Sequence, residues 1–218
     1  MARTLPFALF MLVLALRGSF SELKDFSGSF DTRWLYGLQA GLALLAMAFS
    51  RHAFGELRSA PKLGSALAIC VTLGLLIFLL WIAPMPGWMH LGAPTATFIP
   101  VAADGTLLWI SVAVRTFGAV LVVPLMEELF WRSFLMRWID KRDFLSLKPS
   151  SVSWFAVLAS STVFALAHEL WVAGLVAGLV YAQIYRRLGN LWYSVLAHAT
   201  TNLALAAWVV NQHAWGFW

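Results

Sequence analysis

The chain has 218 residues, of which 61% are hydrophobic and only 11% are charged, with a net charge of +5. Soluble domains carry about 25% charged residues, so this composition excludes an ordinary soluble protein and predicts a polytopic membrane protein. Most of the basic residues lie in short segments between apolar runs, as membrane topology requires, and so they do not indicate nucleic-acid binding.

Apolar segments follow one another along the chain, and we interpret them as about seven transmembrane helices in an all-α bundle. We predict helices at 5–20, 34–50, 64–83, 106–136, 152–169, 171–187 and 191–211. The first run, from Leu5 to Leu16, is shorter than the roughly 20 residues that a span needs, so the core of a cleaved signal peptide is the alternative to a helix. We treat the chain as one integral domain in two parts, residues 1–105 with the N-terminal helices and an irregular loop, and residues 106–218 with the later helices.

The distribution of basic residues predicts the orientation in the membrane. One side collects ten of them: Arg3, Arg51, Arg58, Lys62, Arg137, Lys141, Arg142, Lys148, Arg186 and Arg187. The other side collects three, which are Arg17, Lys24 and Arg33. This bias places the N-terminus in the cytoplasm and the C-terminus outside. The outer loop 84–105 contains Pro84, Pro86, Pro94 and Pro100, so we expect it to be irregular, lying in the headgroup region or folded over the bundle.

The fourth predicted helix carries charges at bilayer depth, where each costs roughly 2.5–3.5 kcal/mol on insertion scales. Glu128 and Arg132 are four residues apart and can form an ion pair on one helix face. Glu127 lies about 100° away around the helix and is left without a partner there. An unpaired carboxylate in an apolar site is suited to act as a general base. A purely structural ion pair that fixes helix register is the alternative.

Two later helices carry further polar groups. His168 ends the run FALAH, and a histidine at the membrane boundary is the simpler interpretation of it. His198 and Asn202 are four residues apart in LAHATTNLAL, so both can donate hydrogen bonds toward one point, as a developing oxyanion requires. Hydrogen bonding between helices is the alternative role for this pair. Together with Glu127, these groups form a hydrolytic site that needs no covalent nucleophile.

Three motifs in this order resemble those of the CPBP family, the CAAX prenyl protease and bacteriocin-processing family of intramembrane glutamic endopeptidases. EELFWR, which begins at Glu127, fits the family's EExxxR motif. FALAH, from Phe164 to His168, fits FxxxH, and HATTN, from His198 to Asn202, fits HxxxN. The resemblance covers roughly residues 106–205. The sparse loop charge also resembles the CAAX-protease-related proteins associated with bacterial exosortase systems.

The resemblance implies a role for each matching residue. Glu127 would activate a water molecule with the help of His168, while His198 and Asn202 would form an oxyanion hole. Glu128, Arg132 and Phe164 match supporting positions. The family also implies a metal-independent reaction without a cofactor, in the bacterial inner (plasma) membrane. Its partners would be membrane lipid and membrane-associated protein or peptide substrates, either prenylated or carrying a C-terminal signal. Residues 106–218 would then be the catalytic core.

The residues by themselves are also compatible with two other classes of function. Two histidines and two glutamates could bind zinc in a membrane peptidase, although an HExxH motif opened by His168 would close on Val172 rather than histidine. Cys70, the single cysteine, excludes a cysteine-based metal cluster within one chain. A transporter with a proton relay through Glu127, Glu128 and Arg132, or a membrane scaffold, is the non-enzymatic alternative.

The depths of the polar residues set a geometric condition. At 1.5 Å per residue, Glu127 lies about 14 Å from the cytoplasmic end of its helix, but His168 lies about 24 Å in if its helix begins at Val152. We predict that this helix begins later, tilts or is displaced. Arg115 is also inside the bilayer, and it extends either to the interface or inward, where it could hold a substrate carboxylate or pair with Glu128 or Asp104. Pro124 removes a backbone hydrogen bond one turn before Glu127.

Overall fold

The computed structural model describes residues 1–22, 31, 33–92 and 98–218 and confirms an all-α bundle. The described residues form seven helices of more than ten residues. They are α1 (Leu5–Glu22), α2 (Trp34–Phe49), α3 (Ser65–Ile82), α4 (Trp109–Asp140), α5 (Trp154–Leu166), α6 (Trp171–Leu188) and α7 (Leu191–Gln212). Three of them, α3, α4 and α7, are long and apolar enough to cross a membrane. Lys24 and Pro94, used above for topology and loop structure, lie outside the described residues.

Most helix ends agree with the sequence prediction to within a few residues, because capping signals are local. Ser153 accepts a hydrogen bond from the backbone N–H of Ala156 and starts α5. Asn190 caps α7 in the same way through Trp192. Gly189 adopts φ 69° and ends α6. The prediction for α5 was wrong at its end, because the helix stops at Leu166 and His168 lies in the following turn.

Small residues allow the helices around the polar centre to approach closely. A Cβ added at Gly178 on α6 would lie 3.1 Å from the Cβ of Ser161 on α5, and one at Gly174 would lie 3.3 Å from the Cβ of His168. Gly74 on α3 lies directly against Ala197 and Thr200 of α7. These contacts hold α5, the turn after it that carries His168, and α7, which carries His198, tightly in the bundle.

Helix α4 contains two wider, π-helical turns, at 118–122 and 129–135, which flank Val123–Glu128. Such turns are frequent at functional sites. Pro124 lacks the backbone N–H that would extend the π-helical turn at 118–122. The adjacent carboxylates Glu127 and Glu128 therefore lie on the short regular segment between two distorted turns.

The end of the bundle that carries most of the loop arginines holds a buried polar cluster. Arg3 forms an ion pair with Glu56 at 2.6 Å, and Ser133 hydrogen-bonds to the same carboxylate. Arg137 donates to the hydroxyl and the carbonyl of Ser133 at 2.9 and 2.7 Å. The distribution of basic residues identifies Arg3 and Arg137 as topology signals. That interpretation was incomplete, because both side chains are buried in this cluster.

The described parts of the loop before α4 pack against the opposite end of the bundle. The N–H of Leu91 donates to the carbonyl of Glu169 at 2.8 Å, and His90 pairs with Leu170 in an isolated β-bridge. The N–H of Phe98 donates to the carbonyl of Trp218 at 3.0 Å. These contacts agree with the second alternative for this loop, in which it folds over the bundle.

Candidate active site

A cavity of about 320 Å³ lies inside the bundle. The four predicted catalytic residues line it together with the supporting Phe164: Glu127, His168, His198, Asn202 and Phe164. They come from α4, α5 with its following turn, and α7. The tertiary structure therefore brings the three sequence motifs to one space. The size is that of a small-molecule or peptide-segment pocket.

Glu127 faces this cavity, whereas its neighbour Glu128 does not line it and is fully buried. The Oε2 atom of Glu127 is buried and has no hydrogen-bond partner among the described residues. The helical offset between adjacent positions explains the difference between the two carboxylates. Glu127 is consequently the carboxylate with an unoccupied acceptor at the cavity wall.

Glu128 lies between two nitrogens, one in an ion pair and the other in a hydrogen bond. Its Oε2 lies 3.2 Å from Nε of Arg132, and its Oε1 lies 3.0 Å from Nδ1 of His198. The guanidinium of Arg132 also stacks 4.4 Å above the ring of Phe164 and donates to the carbonyl of Gly178 at 3.3 Å. A buried carboxylate needs such partners, since charge in an apolar interior is costly. Glu128 thus links α4 to α7 and orients the imidazole of His198.

The imidazole of His198 is fixed on its face as well as at its edge. The ring of Tyr181 stacks on it with centroids 4.9 Å apart and an interplanar angle of 17°. The Tyr181 hydroxyl hydrogen-bonds to Oγ1 of Thr201 at 2.7 Å, and Thr201 donates to the carbonyl of Gly74 at 2.8 Å. Since Nδ1 of His198 is engaged by Glu128, Nε2 remains available to the cavity.

Asn202 donates a hydrogen bond to a backbone carbonyl that has no donor from Pro124. In the π-helical register before Val123, each N–H reaches back five residues, so residue 124 would bond to the carbonyl of Ala119. Proline cannot donate, and Nδ2 of Asn202 donates to Ala119 instead at 2.7 Å. An amide group has two N–H donors, so the second one remains for a ligand.

His168 lies in the turn after α5, at the cavity wall. Its Nδ1 lies 2.7 Å from the carbonyl of Phe164, which places the proton on Nδ1 and leaves Nε2 as an acceptor. Its ring contacts Phe164 and Trp81, with centroids 4.4 and 5.6 Å apart. His168 and Glu127 line the same cavity. The start of α5 at Trp154 and its early end bring His168 to the same cavity.

Sequence reasoning missed several residues that build this site. Tyr181 and Trp81 line the cavity from outside the three motifs, and Thr201 lines it from an unspecified position within HATTN. A buried tyrosine in the middle of an apolar helix needs a hydroxyl partner, and this was the available signal for Tyr181. Arg17 and Arg115 also line the cavity, so Arg115 faces inward. Among the described residues, no group of three or more His, Cys, Asp or Glu side chains is arranged to hold a metal ion.

Comparison with known proteins identifies the segment that contains this site. Residues 105–204 match the family model described as type II CAAX prenyl endopeptidase, Rce1-like. All three motifs lie inside the matched segment, so the family resemblance that they indicated is confirmed. No curated protein and no solved structure matches the chain significantly.

Proposed function

Since residues 105–204 match the family model of type II CAAX prenyl endopeptidases, we propose that the chain is an intramembrane glutamic endopeptidase that works without a metal. The family is one of proteases that act on membrane-associated proteins. The catalytic residues and the role of each are our assignment. Residues 106–218 would form the catalytic core, and the helices of 1–105 would complete the walls of its cavity.

One observation carries this proposal. Glu127 presents a buried carboxylate oxygen without a hydrogen-bond partner, in a cavity that His168, His198 and Asn202 also line. A relay for protons needs titratable groups, but it does not need two donors that converge on one space. The combination of a free base with oxyanion donors favours hydrolysis.

The reaction would begin with a water molecule between Glu127 and His168. Glu127 takes one proton from the water, and the hydroxide oxygen bonds to the carbonyl carbon of the substrate. The carbonyl π electrons move to its oxygen, giving a tetrahedral oxyanion. When this collapses, the C–N bond breaks, and the leaving nitrogen takes the proton from Glu127. The products are a new carboxyl group and a new amine.

The oxyanion would accept hydrogen bonds from His198 and Asn202. The free N–H of Asn202 serves as one donor. His198 donates from Nε2 when the ring carries two protons, with Nδ1–H donating to Glu128. Removal of one oxyanion donor typically costs about 10²–10³ in kcat.

His168 would orient the water. With Nδ1–H donating to Phe164, Nε2 can accept a hydrogen bond from the same water that Glu127 deprotonates. Two acceptors fix the oxygen and aim its lone pair at the substrate. His168 is therefore assigned an assisting role beside the carboxylate base.

The apolar helices suit an integral membrane protein. We propose the bacterial inner membrane as its location, with the N-terminus in the cytoplasm, as the basic residues predict. None of Arg3, Glu56 and Arg137, whose cluster is on the predicted cytoplasmic side, lines the cavity. The lining residues Arg17 and Arg115 belong to the predicted outer half of the bundle, which favours access from the outer side or laterally from lipid.

The test compares protein termini in cells that carry the wild type, Glu127→Gln or Asp143→Asn. Asp143 is an exposed loop carboxylate and provides the matched control. Mass spectrometry of membrane and lipid-modified proteins should reveal substrates that keep an extra segment only with Glu127→Gln. If all termini agree while the three proteins are expressed and folded, the endopeptidase proposal is wrong.

A further inference from the structure

The active-site cavity has a cationic region that the hydrolytic mechanism does not use. Arg17 on α1 and Arg115 on α4 both line it, and their positive charges are close enough to repel each other. Both belong to the predicted outer half of the bundle. Two neighbouring cations in a largely apolar wall are unfavourable unless an anion joins them.

Arg115 is oriented but not neutralised. Its guanidinium stacks 4.2 Å above the ring of Tyr36 and 5.8 Å from the ring of Phe98. Its Nε is buried and has no hydrogen-bond partner among the described residues. A cation–π contact holds the planar group in place while leaving its N–H edge for an anion.

The carboxylates that the sequence offered as partners are occupied elsewhere. Glu128 is bound to Arg132 and His198, and Asp104 accepts hydrogen bonds from Thr106 at 2.7 and 3.0 Å. Within the described part of the chain, no carboxylate lies within ion-pair distance of Arg17 or Arg115. Of the alternatives for Arg115, an ion pair with Glu128 or Asp104 is therefore wrong.

We propose that Arg115, assisted by Arg17, binds the α-carboxylate at the C-terminus of the substrate. A guanidinium offers two parallel N–H donors, which match the two oxygens of a carboxylate. This inference rests on the proposed function, because it assigns a specificity subsite to the same cavity. It makes the protein an enzyme that removes a short C-terminal segment from its substrate.

The spacing along α4 sets the length of that segment. Arg115 lies twelve residues before Glu127, which corresponds to roughly 18 Å at 1.5 Å per residue. An extended peptide advances about 3.3 Å per residue. The bond cleaved at Glu127 should therefore lie about five residues, within a range of roughly four to six, from a C-terminus held at Arg115.

The first test measures binding without hydrolysis. Purified Glu127→Gln protein in detergent is titrated with an N-terminally fluorescent ten-residue apolar peptide, once as the free C-terminal acid and once as the amide. A hydrogen bond to a charged group predicts about ten- to hundred-fold tighter binding of the acid. Equal affinities, or no binding of either peptide, would overturn the subsite.

Variants identify the residues responsible. Arg115→Gln and Arg17→Gln, each combined with Glu127→Gln, should reduce the acid preference, and Arg115→Gln should reduce it most. Arg142→Gln is the matched control, because Arg142 also stacks on an aromatic ring, Trp138 at 4.1 Å, but lies outside the cavity. An acid preference that survives both Arg115→Gln and Arg17→Gln contradicts the proposal.

The source of the anion is tested with two further probes. A peptide amide that ends in Asp offers a side-chain carboxylate, and vesicles of phosphatidylglycerol offer a phosphate. The free acid should bind tighter than the Asp amide, and anionic vesicles should not compete with it relative to phosphatidylcholine vesicles. Equal binding of the Asp amide, or competition by the anionic lipid, would reject the terminal carboxylate as the ligand.

Hydrolysis by the wild type then separates this inference from the proposed function. Cleavage that depends on Glu127, maps four to six residues from the end and prefers the acid supports both. Glu127-dependent cleavage with equal kcat/KM for acid and amide rejects only the subsite. An acid preference in binding, with no hydrolysis of any peptide by the wild type, supports the subsite and counts against the endopeptidase.

Discussion

His198 and Glu128 are seventy residues apart in sequence, yet Nδ1 of His198 lies 3.0 Å from Oε1 of Glu128. This contact joins the first and the third motif. Because Glu128 engages Nδ1, Nε2 is the imidazole nitrogen of His198 that remains available to the cavity. The adjacent Glu127 makes no such contact and faces the cavity, so two neighbouring carboxylates of one helix have different surroundings.

Glu127→Gln should abolish hydrolysis while preserving the fold. The amide has the same shape but cannot take a proton, and loss of a general base typically costs about 10²–10⁴ in rate. Cleavage of a substrate identified from cellular termini gives the rate, and thermal unfolding in detergent gives the stability. A Glu127→Gln protein that retains the wild-type rate would contradict the assignment of the base.

Glu128→Gln should destabilise the protein strongly. Removing one partner of a buried pair leaves Arg132 with an uncompensated charge, which costs about 3–5 kcal/mol. The double variant Glu128→Gln/Arg132→Gln should be less destabilised than the sum of the two single variants, since it removes both charges. The free energies of unfolding of the wild type, the two single variants and the double variant form a double-mutant cycle. Additive effects would show that Glu128 and Arg132 are not energetically coupled.

The contact between Asn202 and Ala119 allows structure and catalysis to be separated. Asn202→Ala should lower kcat by about 10²–10³ through the lost oxyanion donor and should also destabilise α4. Pro124→Ala restores an N–H that can reach the carbonyl of Ala119. The double variant Pro124→Ala/Asn202→Ala should therefore regain stability but not activity. Recovery of activity would show that Asn202 acts only as a structural cap, as it would in a proton relay.

Low pH should loosen the cluster around Glu56. Burial raises the pKa of Glu56, but hydrogen bonds from Arg3 and Ser133 outweigh burial and hold the pKa below its usual 4.5. With a folded pKa below the unfolded one, the stabilisation is fully present above about pH 4.5 and is lost as the pH falls through the folded value. Amide hydrogen exchange in α1 at decreasing pH measures this. Arg3→Gln should reduce the pH dependence, and an unchanged profile would refute the coupling.

Chelators should leave the activity unchanged. The proposed mechanism polarises the substrate with His198 and Asn202 and requires no Lewis acid. Peptide cleavage is measured before and after dialysis against a strong chelator, and zinc is measured in the active protein by elemental mass spectrometry. Activity that is lost on dialysis and restored by stoichiometric zinc would favour the zinc-peptidase alternative.

The sequence by itself determined the helical membrane architecture and the groups available for chemistry. Apolar runs, caps such as Ser153 and Asn190, and the spacing of Glu128 and Arg132 act over one or two helical turns. Such local signals can be read directly from the order of residues. For the same reason, the three motifs indicated the family before any long-range contact was known.

Only the tertiary structure decided how those groups meet. The depth of His168 depends on where α5 ends and on its close packing against Gly174. The bond from Asn202 to Ala119 depends on a wider turn in another helix, and the inward orientation of Arg115 depends on Tyr36 of α2. Arg3 and Arg137 are topology signals in the sequence, whereas the fold buries both beside Glu56 and Ser133. Each of these relationships joins residues far apart in sequence, and packing between helices, rather than local periodicity, determines which distant partners come into contact.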